Sequence, residues 1–132
     1  MQKQLYQSNV VFPTPDMQKT ANYYHTVLGF EIVEQMEAEI PHICLCRDET
    51  EIILVQSDGK KVIPNRELYG HGYDAYFVTN QQEALLQEFT AAGAKIALPI
   101  HETEIGNVEF LVEDIDGRYI GFGWKAFTYV KP

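Results

Sequence analysis

Only two cysteines occur in the 132 residues, Cys44 and Cys46. On an extended strand an i, i+2 pair lies on one face, too widely spaced for easy disulfide geometry, so nothing in the chain asks for an oxidising compartment. Basic charge is scarce as well: ten Lys and Arg stand against nineteen Asp and Glu, a formal net charge of -9. Such a balance repels phosphate backbones and anionic lipid, which argues against nucleic acid and membrane as partners. Long apolar runs are missing; residues 52–55 are far too few to span a bilayer, and MQKQLYQSN at the N-terminus has no apolar h-region. The expectation is a soluble, cytoplasmic protein. Ser8 and Ser57 lie outside any G-x-S-x-G turn, neither cysteine has an obvious base in sequence, and no phosphate-binding glycine loop occurs. What the chain does hold is 45% hydrophobic residues, with 12% aromatics, enough to bury a core in one domain over residues 1–132.

Residues 8–14 are short and β-branched, broken by Pro13 and Pro15, and read as a strand ending at a bend. Asp16 then suits a helix N-cap. Met17, Ala21, Tyr24 and Leu28 recur at helical spacing, and Gly29 follows as the stop. Residues 30–36, 41–47 and 51–57 read as three strands, with Asp48-Glu49-Thr50 turning the last pair. Residues 57–70 hold Asp58-Gly59, two lysines and Pro64-Asn65, the composition of a connecting loop.

After it the pattern restarts. Residues 71–79 read as a strand; Asn80 and Glu83 have capping-box spacing; Leu85, Phe89 and Ala92 supply an apolar stripe; and Gly93 ends the helix. Residues 95–99, 107–113 and 118–124 are the remaining strands, with Asp116-Gly117 turning the last pair. Asp16 to Gly29 and Asn80 to Gly93 are both thirteen residues, which supports a duplicated unit. The pattern predicts an α+β fold of two βαβββ modules, about 8–57 and 71–124, forming a curved mixed sheet with helices outside and a concave cup inside.

Val10-Val11-Phe12-Pro13-Thr14-Pro15-Asp16, then Tyr23-Tyr24, then Leu28-Gly29-Phe30 resemble the opening of a vicinal-oxygen-chelate module. Phe110-Leu111-Val112-Glu113 and Asp114-Ile115-Asp116-Gly117-Arg118-Tyr119-Ile120 resemble that superfamily's closing strand, turn and strand, with Ile115 in place of a proline. The superfamily includes glyoxalases, extradiol dioxygenases and bleomycin-resistance proteins. Matched motif to motif, the four metal-ligand positions of its metal-using members fall on Asn9, Gln56, Tyr73 and Gly121, none a strong ligand for a catalytic divalent ion. The resemblance is closer to the metal-free bleomycin-resistance proteins, through Cys46-Arg47-Asp48, Ile53-Leu54-Val55 and Val62-Ile63-Pro64-Asn65. It implies a protein with no cofactor that holds a small molecule in the cup or at the groove of a homodimer, with Asn9, Leu54, Gln56, Tyr73, Tyr119, Gly121 and Trp124 as the ligand-binding set.

The acidic balance favours a cationic ligand, and Tyr73, Tyr119 and Trp124 offer aromatic surfaces. Gly121 and Gly123 share a strand face, where they either leave room for a ligand or allow close packing. The alternative is a metal-dependent lyase or dioxygenase with a shifted ligand set, drawing on His71, which would share a strand face with Tyr73, and on His42. His42, Cys44 and Cys46 lie on one strand face, but three collinear residues spread along a strand instead of converging on one ion, so they read as partly buried strand residues. His25 reads as a helix residue, His101 as a loop residue able to overhang the cup as an acid or base, and Glu102 with Glu104 as a solvated loop segment.

Overall fold

A computed structural model describes residues 2–37 and 39–124. The chain divides into two compact units, Met1–Val62 and Ile63–Pro132. In the first, β1 (Asn9–Thr14), α1 (Met17–Thr26), β2 (Glu31–Met36), β3 (His42–Arg47) and β4 (Thr50–Gln56) form a sheet ordered β1-β4-β3-β2. β1 and β4 run parallel; the other pairs are antiparallel. Alternation sends Phe12, Ile43, Leu45, Ile52 and Leu54 toward α1, where they are buried against Ala21, Tyr24 and Leu28. Each such side chain contributes about 1.5–3 kcal/mol by leaving water. The helix starts where expected: the Asp16 carboxylate accepts the Lys19 N–H at 3.1 Å. Gly29, at φ +73°, turns the chain out of it.

The second unit repeats the topology. β5 (Ala75–Val78), α3 (Gln82–Ala91), β6 (Lys95–Glu102), β7 (Val108–Glu113) and β8 (Tyr119–Trp124) give a sheet ordered β5-β8-β7-β6, with β5 parallel to β8. Phe77, Phe110, Ile120 and Phe122 are buried on the α3 side, and Phe89 of the helix meets Phe122 at 5.0 Å between ring centres. The β7–β8 turn is a closed polar unit. Asp114 Oδ1 accepts the N–H groups of Asp116 and Arg118, while the Arg118 guanidinium donates to Asp114 and Asp116 at 3.0 Å each.

The α+β class and both βαβββ modules match the sequence pattern, with ladder hydrogen bonds confined to each four-stranded sheet. Four local expectations are corrected. The expected loop 57–70 contains a helix, α2 (Asn65–Tyr69), bracketed by Pro64 and by Gly70 at φ +82°. Five residues are too few to show a period. The expected strand 71–79 begins only at Ala75, because Gly70 and Gly72 both take positive φ and Asp74 is turned aside, accepting the N–H groups of Asn65 and Tyr119. The second helix is capped at Gln81, whose own N–H goes to Thr79 Oγ1 at 2.9 Å, so Asn80 and Glu83 form no capping box. β6 runs past Pro99 to Glu102, which places His101 on a strand instead of in a loop.

Candidate functional site

The face of the second sheet opposite α3 carries the chemistry of that unit. Register aligns Tyr76 with Gly121, Leu111 with Gly121, Glu109 with Gly123, and His101 with Glu109. Glu109 is 1% exposed. Its carboxylate accepts the Tyr73 hydroxyl and, at 3.2 Å, the Tyr76 hydroxyl. Burial first, then the hydrogen bond and charge of Glu109, push the Tyr73 hydroxyl up to about 12; Tyr76 is pushed up as well, by burial and by Glu109. Both phenols therefore stay neutral donors at ordinary pH. His101 brings Nε2 to 3.9 Å from the same carboxylate, and its Nδ1–H donates to the Pro99 carbonyl at 2.8 Å. With its oxygens occupied by hydroxyls, Glu109 is a held anion under two rings 5.3 Å apart, better suited to organising an aromatic, electron-rich surface than to abstracting a proton.

The neighbouring glycines serve close packing. A Cβ on Gly121 would lie 2.6 Å from Tyr76 Cδ2, and one on Gly123 would lie 2.6 Å from both Glu109 Cβ and the Val108 carbonyl oxygen. The space foreseen beside them is filled by the Tyr76 ring. Tyr119 shares this face, with the Arg66 guanidinium of α2 at 3.8 Å from its ring centre and also 3.5 Å from Glu113. Trp124 sits three positions beyond Gly121 on β8 and so falls on the α3 side, with Ile120 and Phe122.

In the first unit the expected residues separate. Asn9 pairs with Glu51 at one end of the β1–β4 ladder and Gln56 with Thr14 at the other. Five residue steps of strand, about 16 Å, separate them, and alternation puts them on opposite faces. These two do not converge. Leu54 is fully buried beneath α1. Gln56 instead borders a cleft of about 830 Å³ between the start of α1 and the β2–β3 end, shared with Asp16, Met17 and His42. His71 is exposed and precedes β5, so it shares no strand with Tyr73. His25 Nδ1 lies 2.7 Å from the Phe30 carbonyl, a contact that closes the end of α1.

Sequence reasoning missed Glu109, Tyr76 and Glu34. Glu109 and Tyr76 carried a signal in retrospect, since alternation from Gly121 and Gly123 leads to them across the ladder. Glu34 carried none, because its neighbours depend on register. Among the described residues, Glu34, His42 and Cys44 bring ligand-capable atoms within 4.8 Å of one another, and Cys44 and Cys46 are free thiols.

No helix of the described residues is long and apolar enough to cross a membrane. Among curated protein sequences none matches the chain. Solved structures do. A glyoxalase/bleomycin resistance protein/dioxygenase superfamily member from Sphaerobacter thermophilus is similar at a TM-score of 0.70 and 19% identity, covering 92% of this chain and 98% of the other. TioX from a Micromonospora species is similar at 0.67 and 20% identity, covering 89% and 98%. TnmS3, an antibiotic binding protein from a Streptomyces species, is similar at 0.69 and 14% identity, covering 94% and 100%. At these identities the likeness is one of fold. The family model matches residues 7–122, and with the paired βαβββ units it shows that the chain belongs to the Glyoxalase/Bleomycin resistance protein/Dioxygenase superfamily.

Proposed function

We propose that this protein binds a small cationic or aromatic molecule without a metal at the superfamily's usual ligand positions. The observation that carries the reading is the Tyr73–Tyr76 pair held over the buried Glu109 carboxylate. Hydroxyls donating to an anion enrich their rings in electron density, and an electron-rich ring face attracts a cation or a flat π system. Tyr73 is 38% exposed, so its ring is open to a ligand while its hydroxyl is held. The acidic balance of the chain adds long-range attraction for a cation. None of Asn9, Gln56, Tyr73 and Gly121 carries a carboxylate, imidazole or thiolate, and Asn9 and Gln56 lie on opposite faces of the first sheet, so this set offers a divalent ion no common site. Antibiotic binding by a relative of the same fold is in keeping with it.

Calorimetric titration with a panel of cationic aromatic compounds tests this. Saturable binding is expected, weakened about 2- to 30-fold in Tyr73→Ala, the range of a single cation–π contact. No binding by any member, or equal binding by the variant, counts against it. We also propose a homodimer, and light scattering that returns the mass of one chain at high concentration removes it. A second reading, a lyase or dioxygenase with a shifted metal set, gains from the cluster of Glu34, His42 and Cys44. Turnover that requires added divalent metal would favour it.

A further inference from the structure

We infer that Glu34, His42 and Cys44 form a binding site for a zinc-like divalent ion on the face of the first sheet opposite α1. None of the three stands at the superfamily's four ligand positions, and the inference is independent of the small-molecule reading. The trio arises from two neighbouring strands. Glu34 of β2 pairs directly with Cys44 of β3, and His42 lies two residues before Cys44, on the same face. The ladder shifts register between Ile32 and Glu34, and this bulge aims Glu34 at that face. A third ligand from the adjacent strand turns a line of side chains into a triangle.

The histidine is oriented for the task. Its Nδ1 lies 3.2 Å from the Ile40 carbonyl oxygen, which can only accept, so Nδ1 carries the proton in the neutral ring. The Nε2 lone pair then points toward Glu34 Oε1 at 3.7 Å. Two acceptors facing each other repel unless a proton or a cation lies between them. A backbone carbonyl behind a ligating imidazole is the usual way such rings are held. In a tetrahedral zinc site the ligand atoms stand about 3.3–3.8 Å apart, from bond lengths of about 2.0–2.3 Å. The Nε2–Oε1 pair is close to that spacing already, and all three ligand atoms lie within 4.8 Å of one another.

The donor set selects the ion. One thiolate, one imidazole and one carboxylate suit zinc or cobalt, whereas magnesium and calcium favour oxygen alone. On binding, the ion takes the thiolate and the proton leaves to solvent. Three protein ligands leave a fourth position for water or a small anion.

Cobalt(II) titration of the purified, tag-free protein tests the site, because a thiolate ligand produces a near-ultraviolet charge-transfer band. The expected result is saturation at one equivalent with that band present, and displacement by zinc but not by magnesium. Cys44→Ser is expected to abolish the band and Glu34→Gln to weaken binding about tenfold or more while keeping it. Cys46→Ser, on the same face but outside the trio, is expected to change neither. Circular dichroism reports whether Cys44→Ser folds; since Glu34 is exposed, Glu34→Gln decides the matter if it does not. Absence of the band, unchanged affinity in Glu34→Gln, or loss of the band in Cys46→Ser overturns the proposal.

Discussion

Gly121 and Gly123 face different obstacles. The nearest atoms to a Cβ on Gly121 belong to the Tyr76 ring, which can move; one on Gly123 meets the hydroxyl of the same Tyr76 and, in addition, Glu109 Cβ and the backbone oxygen of Val108, which cannot. Gly121→Ala is therefore expected to destabilise by about 1–3 kcal/mol and to recover much of that in combination with Tyr76→Leu. Gly123→Ala should lose at least as much and recover little from the same partner change. Denaturant midpoints of the four variants check this, and equal rescue at both positions would contradict it. A glutamate at Gly121 meets the same ring, so Gly121→Glu should act first on folding. The tyrosines give a pH signature. Tyr73 is raised from 10.0 to about 12, so the folded state holds this proton where the unfolded chain has lost it. Its contribution to stability is complete below about pH 10 and declines as pH rises toward about 12. Burial is the larger cause and Glu109 the next, so Glu109→Gln, which removes the second, should move a tyrosinate absorbance titration part of the way to lower pH. An unchanged titration would show that burial alone accounts for the shift.

The two long helices are ten residues each but have unequal caps. Asp16 makes the side-chain bond to Lys19 N–H that its sequence position implies, while Asn80 makes no such bond because Thr79 and Gln81 have taken over the turn. Asp16→Ala should therefore cost about 0.5–2 kcal/mol, and Asn80→Ala less than about 0.5 kcal/mol. Equal losses in urea unfolding would show that the second helix starts as the sequence alone suggests. The same scale explains α2 and the late start of β5. Pro64, Gly70 and Gly72 are local breakers visible in sequence, but what they bracket depends on Asp74 reaching both Asn65 and Tyr119 across the fold.

At the scale of the molecule, a net charge of -9 acts on any charged ligand before contact. Binding of a cationic aromatic compound should weaken as salt rises from about 0.01 to 1 M, where the screening length falls from about 30 to 3 Å, while a neutral isostere should be little affected. Equal salt dependence for the two would remove the electrostatic part of the proposed function. The sequence by itself determined the class, both modules and the Asp16 cap, because amphipathic periods and turn residues are local properties written in consecutive positions. It could not determine which side chains meet across strands. The match of Asn9 with Gln56 followed from motif alignment, and the parallel β1–β4 register separates them by the length of the ladder. Leu54 looked available and is buried under α1; Gly121 looked open and is covered by Tyr76. Glu109 became a buried anion only when Tyr73 and Tyr76 closed over it, and Glu34 joined His42 and Cys44 only through a bulge in β2. Register, bulges and ring placement are set by packing between distant segments, so tertiary structure alone decided them.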